Sequence, residues 1–191
     1  ATGALEDALA KHRAYRDSGV QTIVVRAGDF LDTEPSGNWF DMIIAKNAAK
    51  GRFSYPGDLD TIHAWAFLPD VARVMVTLAE RRETLGQWTD MPVPGYAVTG
   101  RELAEACAMA INRQVKARRM SWLPLQFARP FMPMMRGLFE MRYLWDKPHR
   151  LDPAPLQAMC PEIEMTPLTD ALRAALDHQV HPDKAVRAGG Q

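Results

Sequence analysis

Only two cysteines, Cys107 and Cys160, occur among the 191 residues, too few for a disulfide framework. They suit a reducing compartment, and the expectation is cytoplasmic. Charge of neither sign predominates: 23 Lys and Arg face 23 Asp and Glu, for a formal net charge of zero. A chain without a global basic field is not built to collect nucleic acid or an anionic membrane surface. No apolar run reaches the 18 residues that a membrane span needs. No charged stretch followed by an apolar one opens the chain, so a secretory leader is not expected. These absences leave a small-molecule substrate as the expected partner, with the oligomeric state open, a homo-oligomer included.

Motifs for several chemistries are missing too. The sequence contains neither G-x-G-x-x-G nor G-x-x-x-x-G-K-[ST], the two loops that cradle phosphates. By itself the chain is not expected to hold a dinucleotide. H-E-x-x-H, G-x-S-x-G and paired cysteines are also missing, which leaves zinc and serine hydrolysis without support.

What is present is an alternation of helices and strands in a chain that is 47% hydrophobic, enough for a real core. Residues 6–17 read as a helix closed by Gly19. The β-branched run 21–26, Gln-Thr-Ile-Val-Val-Arg, reads as a buried parallel strand with neighbours on both sides. Residues 38–50 read as a second helix closed by Gly51. Residues 51–60 read as a turn-rich hairpin or loop, with Pro56-Gly57 suiting a type II turn.

Residues 62–68 alternate as a strand covered on both faces. Leu68-Pro69-Asp70 then starts a helix with Val71, Val74, Met75 and Leu78 on one face, ending at Leu85-Gly86. Residues 87–93 read as a short strand. Thr99 with Glu102 three residues on has capping-box spacing for the next helix. After position 120 prolines break the chain into short pieces, methionines and aromatics fill residues 122–144, and residues 166–179 form the last helix. Helix and strand in turn, then a mostly helical lobe, indicate α/β with a parallel sheet, divided at residues 1–95 and 96–191. Three strands are too few for such a sheet, so part of it is expected upstream.

Four constellations carry candidate chemistry. Tyr143 and Lys147 have Y-x-x-x-K spacing, but Pro148 follows and there is no phosphate loop for them to serve. His178 and His181, with Asp177, have a metal-ligand spacing near a proline. Arg113, Lys116, Arg118 and Arg119 form a basic cluster near Trp122 that could meet a phosphate or an RNA backbone, though with zero net charge a solvated helix end is the favoured reading. The strongest is the loop after Arg26: Ala27, Gly28, Asp29 and Phe30. Ligands in open α/β sheets sit outside the carboxyl ends of strands. Gly28 permits close backbone approach, and the alternative reading is a structural turn with an Arg26–Asp29 pair.

Taken in order, these segments resemble the C-terminal part of an extended or atypical short-chain dehydrogenase/reductase, the NAD-dependent epimerase/dehydratase family. "TIVVRAGDF" is similar to the family's sixth strand and its following loop. "HAWAFLPDVARVMVTLAE" resembles its return to the sheet and a helix with a D-V-A start. "VTGRELAEACAMAINR" resembles its T-G-x-E helix, while "RYLWDKPHRLDPAPLQAM" and "TPLTDALRAAL" resemble its C-terminal lobe.

The resemblance implies a Rossmann-like parallel sheet whose N-terminal, nucleotide-binding half is absent here. A chain that opens on Ala1 fits that expectation of a fragment. It implies NAD or NADP as cofactor in a longer parent. That parent would transfer hydride at a carbonyl or alcohol, using a Tyr-x-x-x-Lys pair upstream to which Tyr143 and Lys147 do not correspond. It places Ala27, Gly28, Asp29 and Phe30 beside the cofactor, and Trp39, Tyr55, His63 and Trp65 around the substrate. Where many members have a G-P pair after that loop, this chain has Leu31-Asp32-Thr33-Glu34-Pro35. A non-catalytic member that senses NADP or binds partners is the alternative.

Overall fold

Gly19, at φ 74°, turns the first helix into the first strand, and from there the expected alternation holds except at residues 38–50, with four short strands added. A computed structural model describes residues 3–123, 126, 139 and 142–181. The helix α1 (Gly3–Asp17) precedes the strands β1 (Thr22–Arg26) and β2 (Asp29–Leu31). After two short helical turns come β3 (Arg52–Tyr55), β4 (Ile62–Phe67), the helix α2 (Leu68–Glu80) and β5 (Trp88–Pro92). β6 (Tyr96–Thr99), α3 (Gly100–Ala110) and β7 (Lys116–Arg119) follow. A 3₁₀ turn (Arg142–Asp146) and the helices α4 (Ala154–Met159) and α5 (Leu168–Val180) end the described chain. Among the described residues no helix is long and apolar enough to cross a membrane.

The described strands pair as β1 with β5, β2 with β4 and β6, and β3 with β7. Only β4–β6 is antiparallel. Parallel pairs joined through helices define an α/β fold. β1 has one described neighbour rather than two, and that neighbour, β5, lies downstream. Accordingly β1 is half-buried, whereas β4 is buried from His63 through Phe67 between two layers. Two cores result. The larger joins Phe40, Phe53, Tyr55 and Trp65 to Leu103 of α3 and Leu172 and Leu176 of α5. The smaller packs Val71, Val74 and Leu78 of α2 on Met91, Leu156 and Cys160.

Four local expectations are corrected. Residues 38–50 do not form one α-helix. A π-helical turn (Phe40–Ile44) and a 3₁₀ turn (Ala48–Lys50) replace it, with the Ala45 N–H donating to Phe40 O. Phe40, Ile44, Ala45 and Ala48 are all fully buried, and the wider turn lets these four positions reach one core. Residues 51–60 are not a hairpin, because β3 pairs in parallel with β7, some 60 residues on. Pro56-Gly57 is not a type II turn, since Gly57 is not among the positive-φ glycines. Glycine is needed there for space instead, as a Cβ would lie 2.2 Å from the Trp145 carbonyl oxygen. On α2, Met75 is 54% exposed rather than packed with Val71, Val74 and Leu78, and the helix stops at Glu80 before a 3₁₀ turn (Arg82–Thr84).

The capping box at Thr99 forms as the spacing predicts: its hydroxyl accepts from the Glu102 N–H, and the Glu102 carboxylate accepts from the Thr99 N–H. Most of residues 122–144 and the whole of 182–191 lie outside the described residues.

Candidate functional site

In a parallel pair, residues two apart on a strand share a face, and this rule builds the site. Arg26 stands opposite Pro92, so Asp90, two residues earlier, lies on its face. The guanidinium donates to both oxygens of the Asp90 carboxylate, at 2.7 and 2.5 Å. The pair raises the Arg26 pKa and lowers that of Asp90. The Arg26–Asp29 pair of the alternative reading is therefore not formed. Asp29 stands opposite Trp65, which brings His63 to its face, and His63 Nε2 meets Asp29 Oδ2 at 2.5 Å. Gly28 lets the loop lie directly on β4: a Cβ there would sit 2.2 Å from the Ala64 carbonyl oxygen.

Beneath this loop is a cavity of about 190 Å³. Ala27, Gly28 and Asp29 form one wall, His63 and Ala64 of β4 the floor. Trp39, Leu144, Trp145, His149 and Leu151 close the rest. His63 is fixed on three sides. The Trp145 ring stacks on it at 4.2 Å and 5°, His149 meets it edge-on at 4.3 Å, and Asp29 takes its Nε2. A carboxylate only accepts, so Nε2 carries the hydrogen, and Nδ1 is buried with no hydrogen-bond partner among the described residues. His149 is anchored by its backbone N–H, which donates to the Ile62 carbonyl at 3.2 Å. The hydroxyl of Tyr55 and the indole N–H of Trp65 are buried without a hydrogen bond of good geometry. Burial first, then the Asp29 charge, push the Tyr55 phenol far up, and the Trp65 N–H offsets this only in part.

Burial holds the His63 pKa below its ordinary value of 6.5; Asp29 opposes this by hydrogen bond and charge, and His149 adds to it. The linkage has a definite sign. Between the folded pKa and 6.5 the unfolded chain binds the extra proton, so stability is full above 6.5 and falls as pH drops through that window. The expected slope is at most about 1.4 kcal/mol per pH unit. Urea midpoints measured down from neutral pH check this, and His63→Gln flattens that limb. The depressed Asp60, Asp90 and Glu102 act only at lower pH, below about 4.

Of the residues singled out in the sequence, Ala27, Gly28, Asp29, Trp39 and His63 meet at this cavity. Phe30 does not: it is 39% exposed and lies by Ile23, Val25 and Met75, where side chains alternate to the other face. Tyr55 and Trp65 are fully buried behind the cavity, touching Trp145 at 5.6 and 5.9 Å between ring centres. Trp145, His149, Leu144 and Leu151 were missed. Their signal was the cluster of tryptophan, histidine and leucine within residues 144–151, beside the Tyr143 and Lys147 spacing. Tyr143 lies in a 3₁₀ turn and is 56% exposed. His181 meets Asp177 at 3.8 Å, and the described residues hold no group of three metal ligands. The basic cluster is a strand, β7, rather than a helix end. There Arg119 pairs with Asp146, and Arg113, just before the strand, donates to the Ala49 carbonyl.

No protein-family model matches the chain, and no curated protein does. Solved structures do. L-threonine 3-dehydrogenase from Trypanosoma brucei superposes with a TM-score of 0.64 at 14% identity, over 91% of this chain and 51% of that one. RMD from Pseudomonas aeruginosa, complexed with NADPH, gives 0.58 at 16%, over 89% and 51%. A nucleoside-diphosphate-sugar epimerase from Staphylococcus aureus gives 0.60 at 17%, over 85% and 55%. At such identities the shared property is the fold. The chain spans about half the length of these structures.

Proposed function

We propose that this chain is the substrate-side, C-terminal portion of an NAD(P)-dependent oxidoreductase or epimerase of the extended short-chain dehydrogenase/reductase type. The observation that carries the reading is the cavity under the Ala27-Gly28-Asp29 loop, at the carboxyl end of β1, in a chain whose fold is shared with a dehydrogenase and a sugar epimerase. The reaction class is hydride transfer at a carbonyl or alcohol, with NAD or NADP supplying or taking the hydride.

This chain's residues do not fit a whole dinucleotide. The sequence has no G-x-G-x-x-G loop, and about 190 Å³ lies below the roughly 300–1,000 Å³ of drug-sized ligand sites. Cofactor phosphates fall to chain that would precede this portion in a longer parent. To these residues falls the positioning of substrate: the Ala27-Gly28-Asp29 wall, His63 on β4, and Trp39 across from them, with Tyr55 and Trp65 as the rigid backing.

NADPH fluorescence titration tests this. The 191-residue chain alone is expected to show no micromolar binding, whereas the chain extended by its upstream coding sequence, about 120 residues, regains it. Micromolar binding by the chain alone would overturn the division of labour.

A further inference from the structure

We infer that the cavity selects its ligand by charge: Asp29 accepts a hydrogen bond from a hydroxyl or ammonium group, and a ligand presenting a carboxylate or phosphate at that point is rejected. The inference rests on the reading of this cavity as the substrate site and names the chemical class of the end it takes.

Among the described residues, Asp29 is the one charged side chain that lines the cavity while staying open, at 32% side-chain exposure. Its Oδ2 is taken by His63, and no described residue bonds Oδ1. No described lysine or arginine lines the cavity. Arg26, the cation nearest in sequence, is spent on Asp90. An anion would therefore meet a carboxylate with no counter-charge in a partly dry space, where repulsion is many times stronger than in water.

His63 is the positioning residue. It is 3% exposed at its side chain, clamped between Trp145 and His149, and so it holds the carboxylate still. The walls from Trp39, Trp145 and His149 suit a carbon ring, and aromatic rings also attract a cation.

Three probes that share one ring separate the alternatives: cyclohexylammonium, cyclohexanol and cyclohexanecarboxylate. Each is titrated into the ¹⁵N-labelled chain at neutral pH, with no nicotinamide present. The ammonium and the alcohol are expected to shift the amides of Ala27, Gly28 and Asp29, binding at least about tenfold tighter than the carboxylate. Asp29→Asn keeps the shape and is expected to bring the ammonium-to-carboxylate ratio close to one. Equal binding of carboxylate and ammonium by the native chain, an unchanged ratio in Asp29→Asn, or no shift with any probe would each overturn the inference. Failure of NADPH binding in the longer protein would leave these shifts untouched, so the two readings fail separately.

Discussion

Replacing Trp145 with alanine is expected to remove about 3–5 kcal/mol of stability, the range for deleting a buried tryptophan. The residue is 3% exposed and sits where four other rings meet: Trp39, Tyr55, His63 and Trp65 all approach it within 6 Å between centres. Its backbone is equally constrained, because Gly57 packs against its carbonyl. The ring faces the cavity on one side, so part of the void left behind opens to existing space, and the lower end of the range is the better expectation. Urea unfolding at constant m-value measures the loss. The same variant frees one face of His63, so the amide signals of His63 and Asp29 should broaden. A loss below about 1 kcal/mol would show that the aromatic cluster does not hold this end of the fold.

Gly28→Ala is expected to cost about 1–3 kcal/mol or more, as overpacking does when no soft group can yield. The new Cβ would meet the Ala64 oxygen at 2.2 Å, the Ala64 carbon at 2.4 Å and the Trp65 nitrogen at 2.8 Å, all of them backbone. The loop must lift from β4, which breaks the Asp29–Trp65 register and draws Asp29 away from His63. Amide exchange should quicken across β2 and β4 while β1 and β5 keep their protection. Gly86→Ala is the control, since its nearest neighbour is 3.7 Å away and its φ is not positive. A Gly28→Ala protein as stable as the native one would mean that the loop does not need this close approach.

Local signals carried much of the fold. The stretch Thr22–Arg26 reads as a strand because β-branched residues are packed together, and the Thr99–Glu102 spacing announces a helix because the cap is made by neighbours in sequence. The short strands were not legible. β3 and β7 carry Arg52, Lys116, Arg118 and Arg119, a composition that reads as solvated loop or helix end. They become strands only because each supplies the other's hydrogen bonds across a long separation. The π-helical turn was illegible for a similar reason: nothing local to residues 40–44 says that four of the residues between 40 and 48 must reach one core.

The candidate site divides in the same way. The loop could be placed from sequence because it follows a recognisable strand, and Gly28 marks a close approach. The partner of Asp29 could not, since Arg26 is three residues away in the chain and His63 thirty-four. Register decided for His63: side chains two apart share a face, and the pairing of β2 with β4 sets Asp29 against Trp65.

What the sequence by itself determined is the alternation of elements, the capped helix, the glycine loop at the end of β1 and the lack of any phosphate loop, all of which depend on neighbours or on motifs. Tertiary structure alone decided which strands pair, that Arg26 is tied to Asp90, that Trp145 and His149 complete the cavity, and that Tyr55 and Trp65 stand behind it. Those outcomes depend on contacts between residues far apart in the chain, whose formation is fixed by packing and register across the whole molecule rather than by any one segment's own preference.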